Sequence, residues 1–465
     1  MAGIAVKIIF PNSKLIDSTE AIEFRQGVVV KNPAPVLTPE LPWEGVLTYV
    51  YGSVIKKSLY RMWYQANGIY VAYARSRDGV SWDKPLLSRF KIDQPHVGAT
   101  MTLADGGGSL CANAKSSARL RSNVVFDLHM PSVLHDRDDL ERPYKLFGYG
   151  DKGYCAAFSK DGIHFTPAAG NPVIPLLRFS APSGRKTWFS DVAPVFRDTR
   201  AGKYVSHVKT YEVDGAGRVR RCVGYAESTD FTRWSAPETI WVPGGDEDRL
   251  ARAKGFNWAD FYGLCGFNYG DGYLGMLWLF YIDYEIERGT HEGQIEVFLA
   301  SSPDGKSWTR FSNAPLIPLS PTGWDCGMLT TANLPLFDKD KIRLYYGGAN
   351  MSHGAGEPGN PYNEQAHRFN VGLATLRKDG FVYAWSPNGH LRTKTMECNK
   401  GLVRVNADCT RGRLLVGVNH DSRRIKTFEL TGADELDRRF RTPKRGEIVL
   451  DVTIENAKLY SLEVT

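Results

Sequence analysis

The sequence predicts an all-β protein, a five-bladed β-propeller followed by a small β-sandwich-like domain, and three observations carry that prediction. The first is a recurring phrase: Ser76-Arg-Asp-Gly-Val-Ser-Trp82, Ser159-Lys-Asp-Gly-Ile-His-Phe165, Ser228-Thr-Asp-Phe-Thr-Arg-Trp234 and Ser302-Pro-Asp-Gly-Lys-Ser-Trp308, with a fainter fifth copy at Leu376 to Phe381. Its aspartates, Asp78, Asp161, Asp230, Asp304 and Asp379, stand 83, 69, 74 and 75 residues apart, so one unit of that size is used five times. The second is a pair of runs rich in β-branched and aromatic residues ahead of each phrase, as in Leu59 to Tyr64 and Ile69 to Ala74 around the turn Ala66-Asn-Gly68. Such pairs read as hairpins. The third is the missing helical periodicity, in a chain with 46 Gly and 25 Pro to supply turns.

Each element follows from these signals. In the phrase, the Asp caps backbone donors and the Gly takes positive φ, giving a tight turn from which the closing Trp or Phe starts an outer strand. Adding the run before each hairpin gives four strands, which is a propeller blade. The expected blades span 36 to 90, 120 to 178, 185 to 243, 255 to 316 and 322 to 385. Residues 1–385 are therefore expected to form the propeller, with residues 1–35 an N-terminal strand segment. Residues 386–465 alternate like strands without the blade order and are expected to form the sandwich. The stretch Ile4 to Phe10 is expected to pair with the sandwich or to close the ring.

Composition limits the function classes. The formal charge is +7, but Lys and Arg are scattered, as on a solvated surface and unlike a nucleic-acid-binding face. Seven cysteines with no C-x-x-C spacing read as buried free thiols, with no zinc site, no other metal and no cofactor expected. The N-terminus lacks a signal-peptide core and no run of about 18 apolar residues occurs, so the expectation is a cytoplasmic protein with no membrane partner. Oligomeric state is left open.

In a propeller the inner strands all start at one face, and the loops between second and third strands return there. The residues just before the inner strands are Trp43-Glu44, Asp127-Leu-His129, Ser190-Asp191, Asn257-Trp258-Ala-Asp260 and Trp324-Asp325, so every blade is expected to deliver a carboxylate to one funnel. The returning loops add, among others, Lys209, Arg221, His353 and Arg368. Acids, histidines, arginines and tryptophans together suit a sugar: polar groups bind hydroxyls, indoles stack on rings and two acids run glycosidic cleavage.

Trp43-Glu44, Tyr60 to Tyr64, the Ser-x-Asp-Gly-x-x-Trp-x-x-Pro run from Ser76 to Pro85, the segment Asp191 to Asp198 and the segment Leu344 to His353 occur in an order that resembles five-bladed propeller glycoside hydrolases. The chain looks similar to glycoside hydrolase families 32 and 43 from about Asn32 to Val418. The resemblance implies a glycosidase acting on an oligo- or polysaccharide, with exo action expected of a funnel. It also implies an acid at the first blade, an Asp at the second and a Glu as general acid at the third. Here these positions hold Glu44, Asp127 and Asp191, and an Asp in place of Glu departs from both families. The catalytic carboxylates are therefore expected among Glu44, Asp191 and Asp325, with Trp43, Asp127, His129, Arg221, Trp258, Asp260, Trp324, His353 and Arg368 binding substrate. Two other functions stay open: a glycoside phosphorylase, with phosphate held by Lys209, Arg221, His353 and Arg368, and a propeller that binds carbohydrate without cleaving it. Sialidases are set aside, because their Ser-x-Asp-x-Gly phrase and six blades differ from this pattern.

Overall fold

A computed structural model describes residues 6–92, 120–176, 178–180, 186–188, 191–286, 291–355 and 368–465. Strands dominate, and the one α-helix among the described residues, Gly245–Ala253, lies between the third and fourth blades. Five antiparallel units follow the chain. The first orders Thr48–Lys56, Tyr60–Ala66, Tyr70–Ser76 and Val124–Asp127 from the inside outward. The second is built on His129–His135, Tyr144–Gly150, Gly153–Ser159 and Phe165–Pro167, and the third on Val195–Asp198, Lys203–Ser206 and Val219–Ser228. The fourth has the longest strands, Trp258–Tyr269, Gly272–Glu285 and His291–Ser302. The fifth uses Met328–Thr331, Lys341–Ala349 and Phe369–Arg377.

Two boundaries differ from the sequence expectation. Val124–Asp127 pairs with Tyr70–Ser76 as the outer strand of the first blade, and the second blade starts at His129. The N-terminal segment splits between the two parts of the molecule. Val30–Lys31 pairs with Phe369–Arg377 and becomes the outer strand of the fifth blade, so the first and last blade residues close the ring together. Ahead of it, Val6–Ile9 pairs with Ala457–Val464, Ile16–Glu20 with Gly389–Thr393 and Glu23–Gln26 with Val382–Ser386. The sandwich therefore consists of two six-stranded sheets to which the N-terminus adds three strands. Leu391, Val405, Val416, Val452, Leu459 and Leu462 alternate inward along its strands and form its buried interior.

The repeated phrase closes each turn with one hydrogen-bond pattern. Ser76 Oγ accepts from Gly79 N at 2.8 Å, and Asp78 Oδ1 accepts from Val80 N and Ser81 N, both at 2.8 Å. The same bonds recur at Ser159/Asp161, Ser228/Asp230 and Ser302/Asp304. Phe231 stands where the other copies have Gly, adopts φ +67° and is fully buried. Packing against Tyr204, Phe158 and Phe147 of the second and third blades offsets that backbone strain. These turns also dock one blade on the next: Trp63 Nε1 donates to Gly162 O at 2.7 Å and Tyr345 Oη to Gly79 O at 2.7 Å. The fifth copy does something else. Asp379 accepts from Lys7 Nζ at 2.7 Å and Ser461 Oγ at 2.8 Å, tying the last blade to the sandwich.

Among the described cysteines, Cys222, Cys265, Cys326, Cys398 and Cys409 form no disulfide, and all of these but Cys326 are buried. Among the described residues no helix is long and apolar enough to cross a membrane.

Candidate functional site

Asp191 lies where the third blade turns into the funnel. It holds φ +67°, an uncommon conformation for a non-glycine residue, and its Oδ1 accepts from Val192 N at 2.6 Å. Lys209, the first residue of a short strand, Lys209–Val213, that pairs with Val219–Ser228, is buried and pairs with Asp191 Oδ1 at 2.6 Å. Burial opposes the charged ammonium, but Asp191, Tyr211 and Tyr262 outweigh it and the Lys209 pKa ends up raised.

Around this pair stand side chains from the other four blades. Tyr49 and Tyr51 come from the inner strand of the first blade, Tyr149 and Tyr154 from the second, Tyr262 from the fourth and His353 from the fifth. Burial, and after it the charges and phenols nearby with Asp191 among them, raises the hydroxyls of Tyr49, Tyr51 and Tyr154; Tyr149 is pushed up to about 12 by burial first and Asp191 second. The Tyr262 hydroxyl meets His353 Nε2 at 3.3 Å, and the Lys209 ammonium sits 4.7 Å from the Tyr262 ring centroid. His353 Nδ1 lies 3.0 Å from His291 O. Burial and the nearby Arg221 hold the His353 pKa down to about 3, so its imidazole is neutral. Arg221 Nη1 reaches His291 Nδ1 at 2.8 Å. His129, bonded through Nδ1 to Gly68 O at 2.7 Å, faces the same charges, and burial lowers its pKa. Asp127 is half-buried at the end of the first blade's outer strand, and its carboxyl pKa is raised by burial and by Asp151.

The expectation that five carboxylates converge here is corrected by the fate of three of them. Glu44 is completely buried; its Oε2 accepts from Glu40 N at 2.7 Å, Leu41 N at 2.8 Å and Lys84 Nζ at 2.9 Å, and its Oε1 from Tyr64 Oη at 2.5 Å. Asp325 is likewise buried, with Oδ2 on Lys31 Nζ at 2.5 Å and Tyr346 Oη at 3.0 Å. The two sites are built alike: an acid just before an inner strand, a tyrosine from the next strand and a lysine from the outer edge of the blade. Each carboxylate is held within its own blade by these partners, with no bond to the Lys209–Asp191 pair. Asp260 is fully buried on Arg220 Nε at 2.8 Å and Arg221 N at 3.1 Å. Arg220 in turn reaches Asp248 at 2.8 Å on the helix and Asp214 at 3.2 Å. Burial pushes the Asp260 carboxyl up against the pull of both arginines. Its Oδ2 also lies 3.6 Å from Arg221 Nη1, so the carboxylate holds Arg221 by both backbone and side chain.

Other assignments change for the same reason. Trp43 is buried with Nε1 on Asn123 Oδ1 at 2.8 Å, and Trp324 stacks on Tyr346 at 5.6 Å with Nε1 3.3 Å from Pro33 O. Trp43 thus stands beside the Tyr64–Glu44 pair, through Asn123, and Trp324 beside the Tyr346–Asp325 pair. Arg368 is exposed, and its backbone N–H donates to Asn350 Oδ1. Trp258 meets His291 edge-on at 5.8 Å and so borders the Arg221 corner of the funnel. Ser190 lies outside the described residues. Among the described residues no group of three or more His, Cys, Asp or Glu side chains could hold a metal ion.

Sequence reasoning missed Tyr49, Tyr51 and Tyr262, which sit inside apolar runs and read as core. One signal was available: Tyr49 and Tyr51 alternate with Thr48 and Val50 at the start of an inner strand, where one face points to the axis. Lys209, expected on a returning loop, is buried and paired with Asp191.

No protein-family model matches the chain, and no curated protein matches it. Among solved structures the chain is similar to an N-acetylgalactosamine deacetylase from F. plautii, at 14% identity over 77% of this chain and 96% of that one, TM-score 0.46. It is also similar to a β-fructofuranosidase from Schwanniomyces occidentalis, at 10% identity over 95% and 97%, TM-score 0.40. A third is the α-L-arabinofuranosidase of Podospora anserina, at 12% identity over 75% and 97%, TM-score 0.42. What the funnel does is therefore decided by its own residues.

Proposed function

We propose that the chain is a glycosidase that cleaves a glycosidic bond of an oligo- or polysaccharide at Asp191. The observation that carries this reading is the convergence on one carboxylate: Asp191, ion-paired to Lys209 at 2.6 Å, lies within electrostatic reach of tyrosines from three other blades and of His353. With Glu44, Asp260 and Asp325 engaged elsewhere, the second carboxylate of the pair is Asp127. Its burial and its neighbour Asp151 raise its carboxyl pKa, the direction a proton donor to the leaving oxygen needs. Asp191 then acts on the anomeric carbon, directly or through a water. The tyrosine hydroxyls and neutral imidazoles of His129 and His353 supply donors and acceptors for sugar hydroxyls. Action from a chain end follows from a site on the axis of a ring, and release of mid-length oligomers from a polymer would overturn that part.

A second reading, cleavage by inorganic phosphate, is favoured by one observation: Lys209 and Arg221 both face His353. Arg368 is not needed for it. The test is activity of the wild type, Asp191→Asn, Asp127→Asn, Glu44→Gln and Asp325→Asn on aryl glycosides and oligosaccharides, with and without phosphate. Loss of about a thousandfold in kcat/KM for the first two variants, roughly 4 kcal/mol of transition-state stabilisation, is expected. Cleavage only with phosphate would select the second reading. Sugar binding without any cleavage by a folded wild type would overturn both.

A further inference from the structure

The outer face of the sandwich carries a groove of about 500 Å³, lined by neither Asp191 nor any residue of the repeated phrases. Its floor is the sheet formed by Ile16–Glu20, Gly389–Thr393, Gly446–Glu455, Arg413–His420 and Arg423–Thr431. Two arginines share one carboxylate there: Arg392 Nη1 meets Asp451 Oδ1 at 2.6 Å, and Arg424 Nη2 meets Asp451 Oδ2 at 2.8 Å. Arg424 is fixed a second time by Nε on Asn419 Oδ1 at 2.9 Å. Its guanidinium lies flat over Gly417, where a Cβ would come within 2.2 Å of Cζ. This glycine has an ordinary strand conformation, so its missing side chain serves the close approach and not a turn.

We propose that this groove is a carbohydrate-binding site for an acidic, uronate-bearing glycan. The two guanidiniums beside a single aspartate leave one net positive charge at that end of the groove, with Glu20 at the other, and the N–H groups that Asp451 and Asn419 do not take can bind a ligand carboxylate. Both side chains are already pinned, so little side-chain freedom is lost when the ligand arrives. His390 and Thr453, bonded to each other at 3.1 Å, line the groove beside them and can exchange hydrogen bonds with ring hydroxyls. Glu20 lies at the N-terminal strand's end of the groove and accepts from a hydroxyl there. The site is independent of the chemistry at Asp191 and would hold polymer near the molecule whatever the funnel does.

The probe is a homo-oligomer of galacturonic acid, titrated calorimetrically into the full chain, alongside the same oligomer with its carboxyls methyl-esterified. Wild type and Asp191→Asn should bind the acidic oligomer alike, and esterification should weaken binding at least tenfold. Gly417→Ala, which keeps every charge but pushes the Arg424 guanidinium off the floor, should weaken it at least tenfold. Arg424→Lys, which keeps the charge but loses the fork, should do the same. Unchanged melting curves for both variants would show that the fold is retained. Absence of binding to the acidic oligomer, equal binding of the ester, or full affinity in both folded variants would each overturn the proposal. A loss of binding in Asp191→Asn alone would assign the glycan to the funnel.

Discussion

Replacing Asp325 by Asn should destabilise the propeller and leave its chemistry intact. The carboxylate is 3% exposed and its partner Lys31 is 18% exposed, with Nζ 2.5 Å from Oδ2. At an effective dielectric constant of about 20, that separation gives a gross attraction of roughly 6–7 kcal/mol, most of which offsets the desolvation of the two ions. Removing one ion strands the other, which typically costs about 3–5 kcal/mol. Here the low end applies, because Lys31 keeps Pro318 O at 3.0 Å and Ser320 Oγ at 2.9 Å, and water reaches part of it. A loss of about 3 kcal/mol is therefore expected. Lys31 lies on the strand that closes the fifth blade, so limited proteolysis near the N-terminus should quicken too. Urea unfolding followed by tryptophan fluorescence reads the stability, and kcat/KM per folded molecule reads the chemistry. The pair Lys31→Met with Asp325→Leu should recover much of the loss, since no ion is left buried. Unchanged stability together with abolished activity in Asp325→Asn would refute this reasoning and return Asp325 to the catalytic set.

Three further outcomes are expected. Glu44→Gln should behave like Asp325→Asn, losing stability and keeping kcat/KM per folded molecule, because Lys84 and Tyr64 lose a buried acceptor; thermal melting and initial rates check it. The turn aspartates have native pKa values below the ordinary carboxylate range, Asp304 at about 2, through backbone and side-chain hydrogen bonds that outweigh burial, while Asp78, with hydrogen bonds from Val80 and Ser81, is lowered as well. Their contribution is present above about pH 4 and drains away as pH falls toward 2, so the urea midpoint should drop steeply in that window and Asp304→Asn should flatten it. His207 is fully buried between Phe196 and Trp308, and burial pushes its pKa down to about 4. The unfolded chain binds a proton near pH 6.5 that the native one refuses, so stability should fall by roughly 3 kcal/mol between pH 6.5 and 4, and His207→Phe should remove that slope in pH-resolved unfolding curves.

The blades were legible because the turn phrase repeats with its chemistry: the same Ser and Asp atoms cap the same backbone donors in four copies. Strand membership at the seams was not. Val124–Asp127 reads as the start of a second unit, yet a short run joins whichever edge is open, and the open edge was that of Tyr70–Ser76. Val30–Lys31 offers only two residues of pattern, and no periodicity announces that the ring closes there. The Asp379 copy was faint for a physical reason: its aspartate serves Lys7 and Ser461 of the sandwich, so the residues that complete the turn elsewhere were not required.

The site was legible as a position and misread as a set. Carboxylates before inner strands do recur, but equivalent places in the chain carry different side-chain directions. A carboxylate that meets a lysine on the blade's outer edge and a tyrosine on the adjacent strand is held within its own blade, as Glu44 and Asp325 are. Asp191 pairs instead with Lys209, whose ammonium lies over the Tyr262 ring of the fourth blade, and it holds a positive φ. We propose that the position of the partner lysine separates a structural acid from a reactive one. Moving it tests the rule: Lys209→Met should cost stability less than it costs turnover, because Asp191 keeps solvent access, at 24% exposure, but loses the contact that orients it. A tenfold or greater fall in kcat with KM nearly unchanged is the expected signature of lost orientation, whereas a KM effect alone would mean that Lys209 binds substrate and leaves Asp191 unaffected.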